Sequence, residues 1–121
     1  MTKYKSRGFS TTFKNARKGF RLVFKSEKNL RIHCTIAILV LLFAMFFDFS
    51  ASEICILLFA IAFVIISEMF NTAIEFALDS IYHNKYSRMV GMAKDISAGA
   101  VMVASFLSVV IGILLFGSHI F

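Results

Sequence analysis

The feature that most constrains this chain is a stretch in which an apolar run passes, without a break, into a line of acids. Every residue from Ile54 to Ile66 is apolar, and no Pro or Gly separates this run from Glu68–Asp79, which reads EMFNTAIEFALD. With 3.6 residues per helical turn, Glu68, Asn71, Thr72, Glu75 and Asp79 share one side of a helix. Phe70, Ile74, Ala77 and Ile81 occupy the opposite side. An ionisable group near the bilayer centre costs about 3 kcal/mol on insertion scales. The acidic stripe must therefore face protein, water or a metal ion, and it marks a functional site. Simple solvation of a helix end would not select a one-sided arrangement.

The rest of the chain agrees with a membrane setting. It is 59% hydrophobic, holds 15 Phe and has a mean hydropathy of +0.80. That composition excludes a soluble globular domain. Its 121 residues read as one domain, 1–121, all-α throughout. Residues 9–25 form a basic amphipathic stretch. Phe9, Phe13, Ala16, Phe20, Val23 and Phe24 recur at helical spacing among Lys14, Arg17, Lys18, Arg21 and Lys25, which predicts a helix lying in the membrane interface. Three further helices, 29–47, 54–79 and 93–116, are expected to carry the spans. Ser26 is a candidate cap for the first of them. Ala100, Ala104, Ser108 and Gly112 form a small-residue stripe on the last. Cys34 and Cys55 lie in apolar surroundings without metal-ligand spacing and read as small core residues.

Ten of the thirteen Lys and Arg fall within residues 1–31, and the others are Lys85, Arg88 and Lys94. The 48–53 turn has none. The positive-inside rule then places the N-terminus in the cytoplasm and the C-terminus outside. Glu68 comes about 21 Å along the helix from Ile54, and Glu75 about 31 Å. Glu27 and the Lys94–Asp95 pair reach the same cytoplasmic level from the neighbouring spans. Four carboxylates (Glu27, Glu68, Glu75 and Asp95), with Asn71 and Lys94, are thus expected to converge at that interface. No nucleic-acid motif, P-loop or protein-kinase signature accompanies them. Carboxylates in such a place can bind Mg²⁺ together with substrate phosphates, or act as a base. A lipid alcohol from the bilayer and a nucleotide from the cytosol could meet there.

These residues carry a resemblance. Glu68–Asp79 resembles the signature of the small bacterial integral-membrane diacylglycerol kinase and undecaprenol kinase family. Ala93–Val101 (AKDISAGAV) and Glu27–His33 (EKNLRIH) resemble its other two blocks. The resemblance implies a homotrimeric bundle of three-span protomers in the bacterial cytoplasmic membrane, with active sites shared between protomers. It implies ATP as co-substrate and Mg²⁺ as the metal. It assigns Glu68 as the general base, Glu27 and Glu75 as metal carboxylates that also bind nucleotide, and Lys94 with Asp95 as a nucleotide-binding pair. Asn71 and Asp79 are supporting polar residues. Glu68, Arg31 and His33 are expected to meet the lipid substrate.

Asn15 stands where the family has an aromatic nucleotide contact. His33 stands where the proteobacterial diacylglycerol kinases have an acid, so the first block looks more like the undecaprenol kinase branch. The expected activity is phosphorylation of undecaprenol by ATP, with diacylglycerol as the alternative substrate. A non-enzymatic transport or assembly subunit is the reading from another class. It fits less well, because the charges cluster at one face of the bilayer and form no path across it.

Overall fold

The computed structural model describes residues 8–83 and 87–121, which form four helices. These are α1 (Phe9–Ser26), α2 (Lys28–Phe46), α3 (Ala51–Tyr82) and α4 (Arg88–Ile120). No strand occurs among the described residues. The polar opening segment and Lys85 of the basic connection lie outside them. The expected all-α architecture, one amphipathic helix followed by three spans, is present. α2, α3 and α4 are each long and apolar enough to cross a membrane. The 32 residues of α3 rise about 48 Å. A hydrocarbon core is only about 30 Å thick, so α3 extends well beyond it and carries the acidic stripe toward water.

α1 keeps its apolar face free. Phe9 stacks on Phe13 and Phe20 on Phe24, with ring centroids 6.5 and 6.2 Å apart, and only Val23 is buried against the rest of the chain. A helix with an unpartnered aromatic face and a basic opposite face suits the headgroup boundary. At Glu27 the backbone turns extended, and its N–H closes the last turn of α1 on the Val23 carbonyl at 2.9 Å. Ser26 does not cap α2. Its hydroxyl turns back to the Val23 carbonyl at 3.3 Å, and Glu27 occupies the N-cap position. Arg31 reaches back from α2 and donates to the carbonyls of Phe24 and Lys25 at 2.9 and 2.8 Å. Helix-terminal carbonyls lack intrahelical donors, and the guanidinium supplies them.

The connection between α2 and α3 closes both helices locally. Asp48 takes a left-handed conformation at φ 56. Phe49 N–H bonds the Ala44 carbonyl at 3.0 Å and Asp48 N–H bonds the Met45 carbonyl at 3.2 Å, the paired bonds of a Schellman motif. Ser50 then begins α3. Its hydroxyl accepts from Glu53 N–H at 3.2 Å, and its own N–H donates to Glu53 Oε1 at 3.0 Å. This reciprocal capping box is the S-x-x-E pattern of residues 50–53. α3 therefore starts at Ala51, ahead of the apolar run. The far end of α4 is tied to the same corner. His119 Nε2 lies 2.7 Å from Glu53 Oε2, and the His119 ring stacks on Phe49 with centroids 4.4 Å apart.

α3 is the central helix, packed most extensively against α4 and also against α2 and α1. The contact surfaces use small residues. Ala44 and Ala104 are fully buried, and Ala37 and Ala60 nearly so. Close backbone approach is how membrane helices gain packing when lipid competes equally for apolar surface. Of the α4 small-residue stripe, Ala104 is buried within the protomer and Ala100 faces outward. Cys55 is also exposed, so it is not a core residue. Hydroxyls inside the spans bond their own helix: Ser67 to the Val64 carbonyl at 2.8 Å and Thr72 to that of Glu68 at 3.0 Å. Ser50→Ala removes the acceptor that starts α3 and should lower stability by about 1 kcal/mol. Unfolding of the detergent-solubilised variant checks this, and an unchanged midpoint would mean the capping box contributes nothing.

Candidate functional site

A cleft of about 280 Å³ opens where α2, α3 and α4 approach the α1–α2 junction. Glu27 and Asn29 line it from the junction side, Glu68, Asn71 and Thr72 from α3, and Ala98 and Met102 from α4. The walls arise from helical periodicity. Residues 71 and 72 lie one turn on from Glu68 on α3, and the turn from Ala98 to Met102 faces them on α4. Glu68 is only 7% exposed. A carboxylate buried that deeply needs a partner. Its Oε1 lies 2.7 Å from His33 Nδ1, although the ring nitrogen is not aligned for a hydrogen bond.

The polar stripe continues upward from the cleft. Ser97 of α4 donates to Asn71 Oδ1, and Asn71 Nδ2 donates to Glu75 Oε1 at 3.4 Å. Beyond them, Lys94 Nζ pairs with Asp79 Oδ1 at 2.7 Å. The acidic face of α3 thus meets a polar face of α4. Lys94 and Ser97 lie three residues apart, one helical turn, so both reach α3 from the same side.

The structure brings together most, but not all, of the residues singled out in the sequence. Glu27, Glu68 and Asn71 share the cleft, His33 touches Glu68, and Glu75 joins through Asn71. Asp95 is exposed and makes no side-chain hydrogen bond among the described residues, since successive helical residues point about 100° apart. Arg31 is engaged on the end of α1. Ser97 is the polar member that the sequence reading passed over. Its spacing from Lys94 was the available signal.

The family description of prokaryotic diacylglycerol kinases matches residues 14–116. The chain belongs to this family. It is 33% identical over 108 residues to the undecaprenol kinase of Bacillus subtilis, covering 89% of this chain and 87% of that protein. It is 31% identical over 101 residues to a diacylglycerol kinase of Synechocystis, covering 84% of this chain but 58% of that longer protein. Against the diacylglycerol kinase of Escherichia coli it is 30% identical over 102 residues, covering 84% and 83%. Membership makes it a lipid kinase that works in a membrane, with ATP as its co-substrate.

The family's metal can be tested against the residues present. No group of three or more His, Cys, Asp or Glu that could hold an ion forms among the described residues. Mg²⁺ usually takes only one or two carboxylates and completes its shell with water and substrate phosphates. Glu27 makes no side-chain hydrogen bond among the described residues, and Glu75 is engaged only by the long 3.4 Å contact from Asn71. Neither carboxylate has a close hydrogen-bond partner among the described residues, which leaves each open to an ion that arrives with a nucleotide. Asn71→Leu would leave the Ser97 hydroxyl without its acceptor and should cost about 1–3 kcal/mol. Asp79→Asn breaks only a half-exposed pair, a contact worth about 0–1 kcal/mol. Melting of the two variants should show the larger loss for Asn71→Leu, and the opposite order would remove the Ser97–Asn71 contact as a tie between α3 and α4.

Proposed function

We propose that this protein transfers the γ-phosphoryl group of ATP to undecaprenol, making undecaprenyl phosphate at the cytoplasmic face of the bacterial membrane. The observation that carries the reading is the buried Glu68 carboxylate, set in a cleft it shares with Glu27 and beside an apolar groove below. A base placed there can reach a hydroxyl that stays in the bilayer, while the nucleotide stays at the water side. Undecaprenol is favoured over diacylglycerol by two features. The Bacillus relative named undecaprenol kinase aligns over nearly its full length, and His33 replaces an acid at the lipid level. The relatives named diacylglycerol kinase keep diacylglycerol as the alternative.

In this reading Glu68 takes the proton of the lipid hydroxyl. Asn71 holds Glu75 and is itself held by Ser97, so the upper acids keep their orientation. Glu27 and Glu75 would hold Mg²⁺, which when bound neutralises charge on the ATP phosphates. Lys94 and Asp95 bind the nucleotide, with Asp79 steering the Lys94 ammonium. Arg31 and His33 stand at the level where the lipid head enters. Catalysis then consists mainly of positioning and electrostatic stabilisation. The basic α1 and the Lys and Arg asymmetry support a cytoplasmic N-terminus and an external C-terminus. A homotrimer with shared sites is the assembly we expect, because it would cover the open side of the cleft.

Side-by-side assays on undecaprenol and diacylglycerol test the proposal. In inside-out vesicles supplied with external Mg-ATP, undecaprenol should turn over faster. A preference for diacylglycerol would reverse the substrate assignment, and activity confined to right-side-out vesicles would reverse the orientation. Glu68→Gln keeps size but removes the proton acceptor and should lower kcat by about 10²–10⁴. Glu27→Gln and Glu75→Gln should instead raise the Mg²⁺ needed for half-maximal rate. Near-normal kcat in Glu68→Gln would remove Glu68 from the role of base.

A further inference from the structure

The contact between His33 and Glu68 has a direction built into it. Glu68 is buried, and its Oε2 has neither a hydrogen-bond partner nor solvent contact among the described residues. Its other oxygen touches His33 Nδ1 at 2.7 Å, and the side chains are 9% and 32% exposed respectively. His33 also sits at a boundary. On one side lies the polar cleft of Glu68 and Glu27. On the other lies an apolar groove of about 90 Å³, walled by His33, Ala37, Val40, Leu57 and Val64. A proton accepted on the Oε2 side has no water to take it up directly, because that oxygen has no solvent contact. The imidazole touches the carboxylate and is itself partly open.

We propose that His33 is the proton relay that discharges Glu68 after each phosphoryl transfer. The proposal rests on the reading of Glu68 as the base. The lipid O–H bond breaks and its proton goes to the Glu68 carboxylate. The oxygen's electron pair forms the new bond to the γ-phosphorus of ATP, and the bond to the bridging oxygen breaks with its electrons leaving on ADP. Once the imidazole turns into line with the carboxylate, the Glu68 proton passes to Nδ1 of the Nε2-protonated His33 ring. The imidazolium loses its Nε2 proton to water, and tautomeric exchange through water frees Nδ1 for the next turnover. Lipid alcohol and ATP become lipid phosphate, ADP and one released proton, with Glu68 again ionised. Few other charges bear on the pair. Cys34 lies close to Glu68 on α2, and Glu27 faces it across the cleft. From α4, Ser108 borders the groove but carries no charge. Arg31 is turned toward the carbonyls of α1.

A relay that acts after chemistry makes a kinetic signature that a packing role or a lipid contact would not. His33→Asn keeps a polar amide near the position of Nδ1 but cannot carry a proton. Rapid mixing of this variant with Mg-ATP and saturating lipid alcohol, so that weakened lipid contact does not limit the rate, should show one fast turnover per site from the carboxylates already ionised. A steady state roughly 10²-fold slower should follow, toward the low end for loss of a proton-transfer group, with KM for ATP unchanged. Added imidazole should speed the slow phase of His33→Ala. A wild-type steady state in His33→Asn would overturn the relay. So would a first turnover slowed as much as the later ones, with no rescue by imidazole. Glu68→Gln separates this from the reading beneath it. A normal first turnover in that variant would overturn Glu68 as base, and the relay with it. No first turnover in Glu68→Gln, beside an unimpaired His33→Asn, would overturn the relay alone.

Discussion

Burial of the Glu68 carboxylate inside a bundle of membrane helices is the constraint on which the rest of the arrangement depends. At 7% exposure an unpaired charge would be costly enough to disfavour the packing around it. The chain meets this cost by placing His33 of α2 against one oxygen and by opening a cleft beside the same residue. Both solutions require α2, α3 and α4 to meet at one level. The depth of a single acid thus marks the level at which polar groups of three helices meet.

The same logic governs the other polar groups. In hydrocarbon, a donor or acceptor without a partner is expensive, so hydroxyls within the spans bond their own backbone. Ser67 and Thr72 do so on α3, and Ser108 does so on α4. Nearer the water, the bonds cross between helices. Ser97 to Asn71 and Lys94 to Asp79 join α4 to α3. At the opposite end, His119 and Glu53 join the same two helices. α3 and α4 are thus tied by polar contacts at both ends and by close-packed small residues between them. A lipid kinase gains from this, since its reacting groups come from different helices and must be held in fixed relation.

The helix ends are closed by equally specific chemistry. Asp48 adopts a left-handed turn without a glycine, and Ser50 with Glu53 starts the next helix. Arg31 closes α1. This holds the amphipathic helix against the start of α2 and leaves its Phe face free for the interface. Surface helix and cleft therefore share the Glu27 junction.

Much was legible in the amino-acid order, because it depends on neighbours along the chain. The three spans follow from apolar length, the interfacial helix from its basic and aromatic periodicity, and the one-sided acids of 68–79 from the turn of a single helix. The capping box at residues 50–53 was equally local, though it shows only as a four-residue pattern. The contacts between helices were decided by the tertiary structure alone. Ser97 donating to Asn71, Lys94 choosing Asp79, Arg31 turning to α1 and His33 meeting Glu68 each depend on the rotation and axial register of one helix against another. Periodicity specifies which face a residue occupies but not which face it will meet. That choice is made by the close packing of Ala44, Ala60 and Ala104, where small side chains let the backbones approach until the polar groups beyond them come within reach.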